Sequence, residues 1–148
     1  MSILSFGVTL PSVTPSRFVP HLTKLSRRVY ANATPEVLGM NLKQVGMLAA
    51  LRDQGDLPQT LLCDTMKLTQ NTVVTWLNEL EDRGYVARLR DPEDRRKHNV
   101  TLTESGEKAL DRAEAELRRL EDDVLSGLNA DERTQLRKLM AKALEALK

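Results

Sequence analysis

Arg90, Arg95, Arg96 and Lys97 stand close together at the start of the run Asp91 to Gly106, DPEDRRKHNVTLTESG, with Asp94 set among them. Cations at this spacing bind anions, and a nucleic acid is the partner whose phosphates can engage several of them at once. The residues on either side position them. Tyr85, Ala87 and Leu89 alternate with Val86, Arg88 and Arg90, and Val100 and Leu102 alternate with Asn99, Thr101 and Thr103, the period of two expected of half-buried strands. The two runs form a hairpin, and its long charged tip carries the cations outward.

A formal net charge of +1 over 148 residues conceals an uneven distribution. The segment from Met1 to Tyr30 holds Arg17, Lys24, Arg27 and Arg28 and no acid. From Arg83 to His98, Arg83, Arg88, Arg90, Arg95, Arg96 and Lys97 outnumber Asp91, Glu93 and Asp94, while the rest of the chain from Ala31 onward leans acidic. A basic strip therefore coincides with the hairpin. At this length, 41% apolar content suits one domain, or two small lobes sharing a core, with no need of disulfides.

Several function classes are excluded. Cys63 is the single cysteine, which rules out an internal disulfide and a multi-cysteine zinc site and fits a reducing compartment. It lies in LLCDTM next to Asp64, with no second cysteine to resolve a sulfenic acid, and reads as a buried structural thiol rather than a redox sensor. His21 and His98 have no acidic or cysteine partner at ligand spacing, so no metal site is expected. No glycine-rich phosphate loop and no nucleophile paired with a base can be found, and neither enzymatic activity nor a cofactor is expected. No apolar run approaches the roughly 18 residues of a membrane span. The opening MSILSFGVTLPSVTP lacks the basic and continuous apolar regions of a secretion signal, so the cytoplasm is the expected location.

The remaining elements follow in chain order. Gly7, Pro11 and Pro15 leave residues 1–15 as an extended arm. Ser16 caps a helix with Phe18, Leu22, Leu25 and Val29 on one face, Pro20 in its first turn and an end by Ala33, because Thr34 precedes Pro35. Asn41 with Gln44 makes a capping box for a second helix bearing Leu42, Val45, Leu48 and Leu51, and Gly55 ends it. Asp56 with Gln59 offers another box for a third helix through Leu61, Leu62 and Met66. Thr69 then caps a fourth helix with Val73, Trp76, Leu77 and Leu80 on its core face. Gln70, Asn71, Thr72 and Thr75 lie near its start and off that face. Two short helices joined by a tight turn, followed directly by a hairpin, make a winged helix-turn-helix. Thr103 caps a long helix bearing Leu110, Ala113, Leu117, Leu120, Val124 and Leu128, and an Asn129–Glu132 box opens a last one with Leu136, Leu139, Met140, Ala143 and Leu147. These stripes hold more apolar edge than two helices can bury on each other, which calls for a second subunit.

The order Asp94-Arg95-Arg96, then Val100-Thr101-Leu102-Thr103-Glu104-Ser105-Gly106, has the form Asp-x-Arg, a short gap, and Val-x-Leu-Thr-x-x-Gly. Leu77, Leu80, Gly84, Tyr85 and Val86 precede it in helix-to-strand register, and Leu42 to Gly106 as a whole resembles the multiple antibiotic resistance regulator (MarR) family of transcription factors. Lys97 stands where that family usually has a small residue. The resemblance implies a mainly α fold with a small β-hairpin wing. Residues 1–40 would then be an arm and first dimerisation helix, 41–102 the winged helix-turn-helix lobe, and 103–148 the C-terminal dimerisation helices. It further implies a homodimer that binds double-stranded DNA at a near-palindromic operator, usually represses a nearby gene, and is released by a small phenolic or other anionic effector.

On that reading Thr69, Gln70, Asn71, Thr72 and Thr75 enter the major groove, with Gln70 and Asn71 suited to adenine edges and the threonines to phosphates or thymine methyls. Arg90, Arg95, Arg96 and Lys97 act in the adjacent minor groove, and Asp94 braces the wing by pairing with Arg96. His98 supports the wing. His21, Tyr30 and Met47 line a ligand crevice or are ordinary packing residues. The alternative function is a winged-helix protein-interaction module without specific DNA readout.

Overall fold

The computed structural model describes residues 17–148. The extended arm and the Ser16 cap expected from the sequence lie outside the described residues. Among the described residues two compact units are present, one formed by Ala33–Glu121 and the other by residues 17–32 with Asp122–Lys148.

Within Ala33–Glu121 the order is α2 (Pro35–Leu38), α3 (Leu42–Gln54), β1 (Leu57–Pro58), α4 (Gln59–Met66), α5 (Gln70–Asp82), β2 (Val86–Arg90), β3 (His98–Leu102) and most of α6 (Glu104–Val124), whose last turn belongs to the other unit. The Asn41–Gln44 capping box forms, with Asn41 Oδ1 accepting the Gln44 N–H at 2.8 Å and Gln44 Oε1 accepting the Asn41 N–H at 3.0 Å. The same Gln44, buried among apolar side chains, donates through Nε2 to Glu79 Oε2 at 2.8 Å and so ties α3 to α5. Met47, Leu48, Leu62, Val73, Leu77, Leu80, Val100 and Leu110 are wholly buried, so the apolar faces of α3, α4, α5 and α6 meet over one side of the sheet.

Several sequence expectations are corrected. The Asp56–Gln59 box is absent, because Leu57 and Pro58 are extended as β1 and pair antiparallel with Val100 and Asn99, giving the sheet order β1-β3-β2. The Asp56 carboxylate accepts from the Thr101 hydroxyl instead, and α4 begins after Pro58, whose ring fixes φ near the helical value. In β2 the inward positions belong to Val86 and Arg88, and Leu89 is 59% exposed. Trp76 and Cys63 are half-buried rather than enclosed. The short α2, with Pro35 at its start and Gly39 closing it at φ 82°, was not expected.

Thr69 caps α5 by accepting the Thr72 N–H at 3.3 Å, and Gly84, at φ 76°, turns the chain from α5 into β2. The wing is then fastened to α6 through Thr103. Its hydroxyl accepts the Gly106 N–H at 3.0 Å and donates to the Gly84 carbonyl at 2.5 Å, while its own N–H donates to the Tyr85 carbonyl at 3.1 Å. Gly106 is buried so close to this junction that a β-carbon on it would lie 2.0 Å from the Tyr85 oxygen. The Thr-x-x-Gly spacing is thus a capping threonine with the one residue small enough to let α6 start against the wing base.

Arg52 of α3 holds α6 by a two-pronged contact with Glu114, 2.7 Å and 2.8 Å. The Arg52 hydrogen bond holds the Glu114 carboxyl below the usual carboxylate range, against the opposing effect of burial. A lowered folded-state pKa contributes stability above the unfolded value, about 4.3, that is lost as pH falls through the folded one. Urea midpoints measured from pH 7 down to pH 3 are therefore expected to fall in the acid range, and Glu114→Gln to remove part of that fall. An unchanged acid profile in the variant would refute the assignment.

The chain-end unit contains α1 (Phe18–Asn32) and α7 (Ala130–Glu145). Pro20 sits in the first turn of α1, and α7 opens with the expected box, Asn129 and Glu132 exchanging bonds of 2.9 Å each. Ion pairs of Arg28 with Asp123 (3.0 Å) and Arg133 with Asp122 (2.8 Å) hold the unit at its surface. Neither α1 nor α7 buries a single residue, and Phe18 and Leu147 are 72% and 82% exposed.

Candidate nucleic-acid interface

The tip between β2 and β3 is closed by its own backbone. The strands run in register from Val86↔Leu102 to Arg90↔His98, and beyond them the Asp91 N–H donates to the Lys97 carbonyl at 3.0 Å. Lys97 donates to the Asp94 carbonyl at 3.0 Å, and Glu93 to Asp91 Oδ1 at 2.8 Å. Asp94 Oδ1 accepts from the Arg96 N–H at 3.0 Å and from Arg96 Nε at 3.4 Å. These aspartate turns shape the loop from within, as short polar side chains do where the backbone has no ladder partner. Arg90, Arg95, Arg96 and Lys97 all remain exposed, and the Arg96 side chain, at 92%, is held only at its base.

On α5 the Gln70 and Asn71 side chains are exposed and have no hydrogen-bond partner among the described residues. Thr69 and Thr72 are engaged with each other, their hydroxyls 3.0 Å apart, and the Thr75 hydroxyl donates to the Asn71 carbonyl at 2.9 Å. Free amides at the leading edge of the helix can donate and accept together, the chemistry that reads a base edge, whereas the threonines are partly committed to the helix itself.

A further group was not anticipated. Arg88, on the inward side of β2, reaches back to α5, where it donates to Glu81 Oε1 at 2.8 Å and to Asn78 Oδ1, and its N–H donates to Glu81 Oε2 at 3.3 Å. The Arg88 hydrogen bond lowers the Glu81 carboxyl below its ordinary range; burial opposes this and nearby His98 adds to it. Glu81, Arg88 and His98 line an open crevice of about 310 Å³. A signal existed in the sequence, since a cation alternating with apolar residues at an inward strand position requires an acid, and Glu81 lies one turn before the strand.

Met47 is wholly buried in the core of the wing-bearing unit and is a packing side chain rather than a lining one, while His21 and Tyr30 are exposed on α1. Among the described residues no three His, Cys, Asp or Glu side chains gather to hold a metal ion, and no helix is long and apolar enough to cross a membrane.

Residues 40–98, which span α3, β1, α4, α5, β2, the cationic tip and the first residue of β3, match the family model described as MarR family. Over this winged-helix lobe the chain is similar to the MarR family. It is similar to HosA, a transcriptional regulator of Escherichia coli O111:H-, with 28% identity over 125 residues, 84% of this chain and 93% of that one. It is also similar to a protein named for transcriptional regulation of the hcr operon in Thauera aromatica, 29% identical over 109 residues; the match spans 74% of this chain and 66%, just under two thirds, of that relative. Among solved structures, a crystal structure of MarR superposes with a TM-score of 0.76 at 25% identity, covering 90% of this chain and 91% of the other. Bordetella bronchiseptica BpsR, whose structure addresses regulation of its DNA binding by 6-hydroxynicotinic acid, superposes with a TM-score of 0.69 at 28% identity, covering 84% and 97%. These relatives are named as transcriptional regulators, in keeping with a site built from exposed cations and free amides.

Proposed function

We propose that this protein is a homodimeric repressor of the MarR type that binds a near-palindromic operator through α5 and the wing and is released by a small anionic or phenolic ligand. The observation that carries the reading is the pairing of a braced, exposed cationic tip at Asp94–Lys97 with the unpartnered amides of Gln70 and Asn71 on the preceding helix. Gln70 and Asn71 read bases, Thr69, Thr72 and Thr75 meet phosphates, and Arg90, Arg95, Arg96 and Lys97 enter the minor groove. The uncovered apolar faces of α1 and α7 supply the surface for a second copy, as an amphipathic helix pair with no buried residue requires. The ligand assignment is supported by the likeness to BpsR and by the cations Lys24 and Arg27 beside His21 and Tyr30 on α1. Regulation is placed in the cytoplasm.

Selection of bound duplexes from a random pool tests this directly. Two inverted half-sites about one helical turn apart, roughly 10 base pairs, are expected, with at least roughly 1,000-fold preference over unrelated DNA. Near-equal affinity for selected and random duplexes would favour an interaction module without specific readout.

A further inference from the structure

We infer that Glu81 is a positioning residue for DNA binding, acting through Arg88 to set the wing against α5. This rests on the DNA-binding reading above and adds a residue that carries the wrong charge for direct contact. The geometry is specific. One carboxylate on the last turns of α5 takes both the Arg88 side chain (2.8 Å) and the Arg88 backbone N–H (3.3 Å), so it fixes the strand itself as well as the guanidinium. Asn78, one turn earlier, accepts from the same guanidinium nitrogen. Arg88 faces Val100 across the hairpin, and its side chain is 18% exposed, against 92% for Arg96 at the tip. Of the wing's cations, Arg88 is therefore withheld from solvent and spent on the helix. The base of the wing is held to α6 through Thr103 and Gly106 and to α5 through the Tyr85 N–H on the Leu80 carbonyl at 2.9 Å, and the Glu81–Arg88 pair ties the strand to α5 farther along. A contact surface made of two elements binds DNA only when both fit the grooves together, so the angle between them enters the affinity.

Electrostatics alone and positioning give opposite signs, which makes the inference testable. Removing an acid and freeing a cation on a DNA-facing unit strengthens attraction to phosphate and steepens the salt dependence. Loss of a positioning contact weakens binding and leaves the slope as it was. We expect Glu81→Gln to weaken binding to the duplex that the unaltered protein selects by roughly tenfold, the worth of about one misplaced contact, with an unchanged slope of log affinity against log salt. Arg88→Met should do the same, and Arg88→Lys, which keeps one donor, should recover part of the loss. Glu81→Gln is nearly isosteric but leaves one acceptor oxygen where the carboxylate used two, so the double hold on Arg88 is lost while the packing is kept, and its melting temperature provides a check that the fold persists even if Arg88→Met does not fold. Equal or tighter binding by Glu81→Gln, or a slope reduced by about one in Arg88→Lys or Arg88→Met, would overturn the inference. If the unaltered protein bound no duplex preferentially, the DNA-binding reading itself would fail and this inference with it, an outcome distinguishable because it does not depend on the variants.

Discussion

Gly106→Ala is expected to destabilise the wing-bearing unit by at least about 3 kcal/mol, at the upper end of overpacking substitutions. Alanine is ordinarily the better helix former by about 1 kcal/mol, so propensity alone predicts the opposite sign. The steric effect wins because the new β-carbon would meet the Tyr85 carbonyl oxygen at 2.0 Å and the Leu102 side chain at 2.8 Å. The Leu102 methyl can swing aside, but the Tyr85 carbonyl is backbone held by the Thr103 N–H and cannot. Relief requires α6 to move away from the wing base, which breaks the Thr103 bonds to Gly84 and Gly106. Denaturant unfolding of the purified variant measures the loss, and a midpoint at or above that of the unaltered protein would show that the junction is not close-packed. Given a total stability of about 5–15 kcal/mol for such domains, the variant should also accumulate poorly.

Arg96→Ala is expected to weaken binding to the selected operator by roughly ten- to a hundredfold and to lower the salt slope by about one, as removal of one phosphate- or groove-bound guanidinium does. Stability should hardly change, because the ion pair with Asp94 joins a 92% exposed arginine to a 32% exposed carboxylate and such pairs contribute about 0–1 kcal/mol. Asp94→Ala separates the two jobs of this pair. It makes the tip more cationic yet removes the acceptor of the Arg96 N–H, so weaker binding with an unchanged slope is expected if bracing dominates. Salt titrations of both variants against the same duplex check this. Unchanged affinity and slope in Arg96→Ala would remove the tip from the interface.

The sequence alone determined the elements whose signals are local. Asn41–Gln44 and Asn129–Glu132 form capping boxes as read, Thr69 and Thr103 cap where expected, and the apolar stripe of Val73, Leu77 and Leu80 lies in the core, because caps and helical periodicity are written within a few residues. The Asp94 to Arg96 contact was legible for the same reason, being an aspartate turn two residues long. What needed the tertiary structure was every pairing made across elements. β1 is two residues long and exists only because β3 lies beside it, so Asp56 serves Thr101 rather than a helix N-terminus. Met47 had the same apolar character as a crevice residue and proved to be wholly buried, since burial depends on what packs opposite. Arg88 resembled the other wing cations in sequence; its place among apolar strand residues hinted at an acidic partner, and the packing of α5 with β2 showed that Glu81 is that partner. The Thr-x-x-Gly motif could be recognised from its letters, but why its glycine cannot carry a side chain was decided by the Tyr85 carbonyl, brought against α6 by the fold.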